Sequence, residues 1–204
     1  MIGDAGSGLP PAPLPATAEE WRPYLSEYSD WYLRISGLTV EDAIPLLGLP
    51  TAEQISARWL GYEPATGEMI ATAEERLGVS LPPSLRGFLM ASNGWGAAVS
   101  QQADAILSCG EIDWFRNTHP GFFPDAHEPI DPEERDLWAF FARCLNVSQG
   151  GDAFLLDTGE VSANGEYSTY LFTVKYGALD DPSESFSELI ALGREELREE
   201  LAES

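Results

Sequence analysis

Residues 59–95 constrain the fold most, because they encode two consecutive helices together with their start and stop signals. Thr66 can cap the first helix, since a threonine hydroxyl accepts a hydrogen bond from a free N–H group of the first turn. The apolar residues of this helix recur at helical spacing and are Ile70, Ala73 and Leu77. Gly78 can then adopt the left-handed conformation that ends a helix, and Val79 is placed to fold back as its apolar contact.

A second helix is predicted to start at Pro82-Pro83, because proline is tolerated in a first helical turn but not in a helix interior. Asn93-Gly94 ends it. Its predicted buried residues are Leu85, Phe88 and Leu89. This two-helix unit contains no catalytic constellation, so we interpret it as a structural framework.

Five sequence pieces follow one another in a fixed order. They are Trp59-x-Gly61 with Pro64-Ala65-Thr66, Leu77-Gly78 with Leu81-Pro82, Asn93-Gly94, Gly151-Asp152 before Leu155-Leu156-Asp157, and Ser185-Phe186 before Leu189-Ile190. Their order resembles the SUKH superfamily, which is known for bacterial immunity proteins and fungal cell-wall regulators. The resemblance covers residues 59–192. It departs from the family at Tyr167 and Tyr176, where tryptophan is common.

Helices early in the chain, strands around a hairpin and a closing helix predict an α+β fold. The resemblance implies the same architecture: a mostly antiparallel sheet packed with helices, SUKH-like, with an N-terminal helical extension. We expect four segments. They are a flexible Gly/Pro/Ala-rich tail (1–16), a helical extension (17–58), the SUKH-like domain (59–192) and a charged helical tail (193–204).

Capping boxes predict two helices in the extension. One begins near Thr17 and ends at Gly37, although Pro23 predicts a start a few residues later. The other begins at Thr51 and is expected to carry Ile55 and Trp59. A short helical turn is predicted between them, over residues 39–47.

The second half of the chain mixes strand and helix signals. Short strands are predicted at 97–100 and 105–108, and a loop at 117–129. A helix start at Asp131-Pro132-Glu133-Glu134 is followed by one apolar face, made of Leu137, Phe140, Phe141, Cys144 and Leu145. Residues 153–156 and 168–174 predict a hairpin with a long loop, and Ser185 can cap a final helix.

The charge balance is strongly acidic. The chain has 34 acidic and 11 basic residues, for a net charge of −23. Nucleic acids and anionic membranes require cationic contacts, so direct binding to either is disfavoured. A basic protein partner is complementary to this charge. The alternative is that the charge only maintains solubility.

Catalytic, metal and cofactor signals are weak, so we expect no enzyme activity, no metal and no cofactor. His119 and His127 lie in a loop with nearby acids, but without the spacing of a metal site. Cys109 and Cys144 are the only cysteines, and we expect both to be reduced. The N-terminus lacks the basic start and apolar run of a signal peptide, so a cytoplasmic location is expected.

Acidic and aromatic residues are the candidates for a protein interface, because tryptophan provides contact area and cation–π attraction to a basic partner. For the tryptophans among them, core packing is the alternative, and for most of the acids it is simple solvation. The candidates are Trp95, Asp104, Glu111, Asp113, Trp114, Asp152, Asp157, Glu160 and Glu166.

The resemblance and the charge together predict a non-catalytic immunity protein that sequesters and inhibits a cognate basic bacterial toxin, of the nuclease or deaminase class. Its acidic surface would occlude the toxin. The alternative is a scaffold or regulatory interaction module with no toxin partner. An enzyme with an unrecognised carboxylate site ranks third, since the sequence offers no nucleophile with a paired base. The sequence leaves the oligomeric state open.

Overall fold

Three helices of the N-terminal half begin at threonine caps, which confirms the capping predictions. The computed structural model describes residues 13–43, 49–96, 105–124, 131 and 134–203. Each threonine hydroxyl accepts a hydrogen bond from the backbone N–H three residues further on. The helices are α1 (Ala18–Ser36, after Thr17), α2 (Ala52–Ala57, after Thr51) and α3 (Gly67–Leu77, after Thr66).

Helix α1 begins at Ala18 and continues through Pro23, so the prediction of a later start is wrong. Proline removes one helical hydrogen bond, but the same turns bury Trp21 and Leu25. The Trp21 Nε1 also donates a hydrogen bond of 2.9 Å to the backbone oxygen of Ser84. Tertiary packing therefore stabilises the helix across the proline. Gly37 ends α1 in the left-handed conformation, as predicted.

Helix α2 ends at Ala57, so the prediction that it carries Trp59 is wrong. Arg58 follows in the left-handed conformation, with a φ of 52°, which turns the chain away from the helix axis. The Trp59 ring is half-buried and meets the Trp95 ring edge-on, at a centroid distance of 5.5 Å. Between α1 and α2 a 3₁₀ turn covers Val40–Asp42, and residues 44–48 lie outside the described residues.

Helix α4 (Pro83–Ala91) confirms the second framework helix, and it buries all three predicted residues. Its Gly87 allows the N-terminal segment to cross it. A Cβ atom at this position would lie 2.0 Å from the backbone oxygen of Ala16, which is far inside van der Waals contact. Only glycine therefore permits this crossing.

Among the described residues, seven strands form two sheets, and every pairing between them is antiparallel. The strands are β1 (Ala105–Ile106), β2 (Asp113–Trp114), β3 (Cys144–Asn146), β4 (Ser148–Gln149), β5 (Ala153–Val161), β6 (Tyr167–Thr173) and β7 (Ala178–Leu179). The larger sheet has the order β2-β3-β5-β6-β7, and β1 pairs with β4 in the smaller one. The α+β prediction is thereby confirmed.

The remaining helices are α5 (Phe115–Thr118), α6 (Arg135–Ala142) and α7 (Phe186–Glu203). Helix α5 and a 3₁₀ turn at Pro120–Phe122 replace the described part of the predicted loop. The helical face predicted through Cys144 and Leu145 is wrong at its end, because both residues belong to β3. They pair there with Asp157 and Leu156 of β5, which satisfies their backbone as a strand. The strand predicted at 97–100 lies outside the described residues.

The β5–β6 hairpin confirms the predicted pairing but has a shorter turn than expected. Asp157 and Gly159, which the sequence predicts in the loop, belong to β5. The pairing shifts between Asp157 and Val161, so the strand contains a bulge there. Ser185 caps α7 as predicted, since its hydroxyl accepts a hydrogen bond from the Glu188 N–H.

The larger sheet separates two apolar clusters, because successive side chains of a strand point to opposite faces. On one face, Leu156 packs in a cluster with residues of α1, α3, α4 and α7. On the other face, Leu155 packs with Phe115, Phe141 and Phe172. The helical side also includes Trp21, Leu25 and Tyr28 of α1. The N-terminal helix is therefore part of the same core as the two framework helices.

Candidate protein interface

Trp95, the first interface candidate, lies in the core. Its side chain is 1% exposed. The ring meets those of Tyr28 and Trp59 edge-on, at centroid distances of 6.0 and 5.5 Å. Its backbone bridges Gly61 and Ile106. In this structure Trp95 offers no side chain to a partner and joins the framework helices to β1.

Asp157 is also buried, at 1% exposure, and Arg143 holds it with two hydrogen bonds. The Arg143 Nε lies 2.6 Å from Oδ1 and its Nη2 lies 2.7 Å from Oδ2. The bond to Asp157 raises the pKa of Arg143 above its usual range. The Gly159 N–H also donates to Oδ1, at 2.8 Å. This carboxylate therefore stabilises the β5 bulge.

Glu166 is 6% exposed and acts as the cap of α4. Its Oε1 accepts a hydrogen bond of 2.8 Å from the Ser84 N–H, and its Oε2 accepts one of 2.6 Å from the Ser84 hydroxyl. A carboxylate suits this place, because a helix N-terminus has unpaired N–H groups and a partial positive charge. Glu166 thus ties the hairpin to the framework.

Glu111, Asp113 and Trp114 lie together at the β2 edge of the larger sheet. Glu111 is exposed and accepts hydrogen bonds from the backbone N–H and the hydroxyl of Ser108. Asp113 is half-buried, with Oδ1 4.0 Å from an Arg76 nitrogen. The Trp114 ring is also half-buried. These three residues present an acidic and aromatic edge that remains accessible.

Two of the last three candidates, Glu160 and Asp152, lie near the ends of β5. Glu160 is exposed and accepts a hydrogen bond of 3.1 Å from the Tyr170 hydroxyl. Burial, followed by this bond, raises the pKa of Tyr170 to about 12. Asp152 is half-exposed in the turn before the strand. Asp104 lies outside the described residues.

The structure also forms a groove that the sequence does not predict, which we call the hairpin groove. It has a volume of about 640 Å³. Residues distant in sequence line it, among them Leu14, Glu160, Val161, Glu166, Glu184 and Glu188. Glu184 and Glu188 belong to an acid-rich part of the sequence, which is a weak signal for the groove. Nothing near Leu14 in the sequence indicates that it lines a groove together with the hairpin.

The described histidine and the two cysteines that were considered for catalysis or metal binding are packed against other side chains or buried. The His119 ring stacks on Phe115 at a centroid distance of 4.6 Å, and burial lowers its pKa. Burial also raises the pKa of the Cys109 and Cys144 thiols. Across the described residues, no group of three or more His, Cys, Asp or Glu side chains could hold a metal ion. His127 lies outside them.

The family model of the SMI1/KNR4 family (SUKH-1) matches residues 64–192, which are 129 of the 204 residues. The chain belongs to this family. The SUKH-1 region contains both framework helices, both sheets and the first turns of α7, and the resemblance predicted from the sequence is confirmed. No curated protein matches the chain. Within the described part of this SUKH-1 chain, no helix combines the length and apolar character needed to cross a membrane.

Proposed function

We propose that this SUKH-1 chain is a non-catalytic immunity protein that binds a basic bacterial toxin domain and blocks it by occlusion. Family membership supports a protein-binding role. The proposed toxin is a nuclease or a deaminase that acts in the cytoplasm. Such toxins act on nucleic acids or their bases, so a cationic surface would hold their substrate.

One observation carries the proposal: more than half of the chain's few positive charges are paired within the molecule. Six of the 11 basic residues form ion pairs with acids of the same chain. They are Arg58, Arg76, Arg86, Arg143, Arg194 and Arg198. Each pair is neutral, so the net charge of −23 lies on acids outside these pairs, and those at the surface can interact with a partner. Opposite potentials accelerate association by about 10- to 1,000-fold.

The proposed mechanism is competition for cationic side chains. Exposed carboxylates such as Glu111 and Glu160 would pair with arginine and lysine residues that otherwise bind phosphate. The half-buried Trp114 would supply apolar contact beside them. Charge pairs that lose water at an interface couple by about 1.5–7 kcal/mol, so a few acids would suffice.

The test uses the protein encoded beside this chain. Co-expression should restore growth to cells that produce this neighbouring protein, and the two purified proteins should bind directly. As salt rises from about 0.05 to about 0.5 M, the association rate constant should fall far more than the dissociation rate constant rises. Absence of binding to any basic neighbour would refute the proposal. Binding of an endogenous protein without protection would support the scaffold alternative.

A further inference from the structure

The hairpin groove has walls fixed by hydrogen bonds between distant parts of the chain. The Ser187 hydroxyl of α7 donates to the backbone oxygen of Pro15, which holds the N-terminal segment against α7. Glu166 ties the hairpin to α4 through Ser84. These hydrogen bonds belong to the folded protein, so the groove is present in the fold and is open without rearrangement.

Its lining combines accessible apolar and acidic side chains. Val161 is 54% exposed and Leu14 is 45% exposed, although both are large apolar residues. Glu160, Glu184 and Glu188 also line the groove. Among the described residues that form it, none is a lysine or an arginine. A groove that exposes both apolar and acidic side chains, beside serine and asparagine residues, is complementary to a segment that carries both apolar and basic side chains.

The α7 end of the groove does not favour an anion. A helix N-terminus attracts anions through its unpaired N–H groups. Here the Glu184 N–H donates to the Glu188 carboxylate at 2.5 Å, and the Glu188 N–H donates to the Ser185 hydroxyl at 3.2 Å. These donors are thus already used by groups of the protein, and the carboxylates determine the sign of the local potential.

We infer that the hairpin groove docks a segment of the partner protein that carries both basic and apolar side chains. This inference rests on the proposed function and adds a docking site for the partner, which includes Glu160 but not Glu111 or Trp114 of the β2 edge. Residues 1–12 of the chain contain Asp4 and no lysine or arginine, so their charge does not complement the groove. A second copy of the chain, with the same charge of −23, is opposed by repulsion.

The experiment uses the full chain and a short fluorescein-labelled peptide of alternating arginine and leucine. Glu184→Lys should raise the Kd for this peptide about tenfold, because it replaces an attraction by a repulsion. Glu75→Lys is the matched control, since it makes the same charge change at an exposed site on α3. It should change the Kd by less than about twofold.

A second pair of variants tests the apolar contribution at constant charge. Val161→Ser should raise the Kd about threefold, because part of a valine side chain no longer leaves water on binding. Leu192→Ser is its control, since Leu192 is 56% exposed, close to the 54% of Val161, but does not line the groove. Circular dichroism and thermal melts verify that all four variants fold.

Equal weakening by the two lysine variants would show a general attraction to the acidic chain and would overturn the inference, while the proposed function would stand. No detectable peptide binding would also overturn it. The groove would belong to the chain's own N-terminus if deleting residues 1–12 strengthened peptide binding tenfold or more. Concentration-dependent self-association lost in Val161→Ser would instead assign it to a second copy. A basic neighbour that fails to bind refutes the proposed function separately.

Discussion

Replacing Glu166 by alanine should destabilise the fold, because its carboxylate holds two buried donors of Ser84. Ser84 is 1% exposed, and both its N–H and its hydroxyl donate to Glu166. A hydrogen bond to a charged group contributes about 1.5–3 kcal/mol, so the two together give about 3–6 kcal/mol. Glu166 also lines the hairpin groove, where water can accept part of the hydrogen bonding from Ser84 once the carboxylate is removed. The expected loss is therefore about 2–4 kcal/mol.

Urea unfolding followed by tryptophan fluorescence measures this loss as a lower midpoint at constant slope. In a thermal melt, the same loss corresponds to a decrease in Tm of about 5–15 °C. Glu166→Gln should lie between wild type and Glu166→Ala, because it retains one acceptor but no charge. Glu160→Ala is the control, since this exposed neighbour should change stability by less than about 0.5 kcal/mol.

A Glu166→Ala variant as stable as the Glu160→Ala control would refute this reasoning, because it would mean that Ser84 does not need the carboxylate. If that variant also lost partner binding, Glu166 would be a contact residue, as the sequence predicts. The structural interpretation requires the opposite: reduced stability, with the partner affinity of the folded variant close to that of wild type.

Two further predictions concern the N-terminal segment. Backbone hydrogen bonds lower the pKa of the Glu20 carboxyl from its ordinary 4.5. The charged carboxylate therefore stabilises the fold above pH 4.5. This stabilisation is lost as the pH falls through the lowered pKa of the folded state. Glu20→Gln should therefore lower the urea midpoint at pH 7, and its difference from wild type should disappear in acid; a constant difference would contradict the capping role. Gly87→Ala should cost about 1–3 kcal/mol or more in a thermal melt, because a Cβ atom there collides with the crossing backbone. Gly67→Ala, with no atom within 4 Å of the added Cβ, should be neutral or stabilising, and equal losses in both variants would contradict the crossing.

The sequence predicts those parts of the fold that depend on neighbouring residues. Threonine caps, such as that of Thr66, and the left-handed Gly78 act within one helical turn, so a short stretch of sequence contains the whole signal. The prediction that Cys144 and Leu145 belong to a helix is wrong because apolar residues can continue a helical face or enter a strand with equal ease. Pairing with β5 decides between the two, and that strand begins several residues later in the chain.

The interface candidates show the same limit more strongly. Asp157 and Glu166 look like solvated acids in the sequence, and both are buried in the structure. The hydrogen-bond partner of Glu166 is Ser84, which lies 82 residues earlier in the chain. Glu111 and Asp113 stay accessible because they lie at a sheet edge. Charge can be counted from the sequence, whereas the partner of each charge depends on the tertiary fold.

The crossing of the N-terminal segment over α4 has a practical consequence for expression and truncation. A fragment cut at the family boundary, beginning at residue 64, would lose Trp21, Leu25 and Tyr28, which are all buried. The surface that they cover on α4 and α7 would then face solvent, and such a fragment should aggregate. Recombinant versions and fusions of this protein therefore need to retain residues 13–36 even when only the family region is of interest.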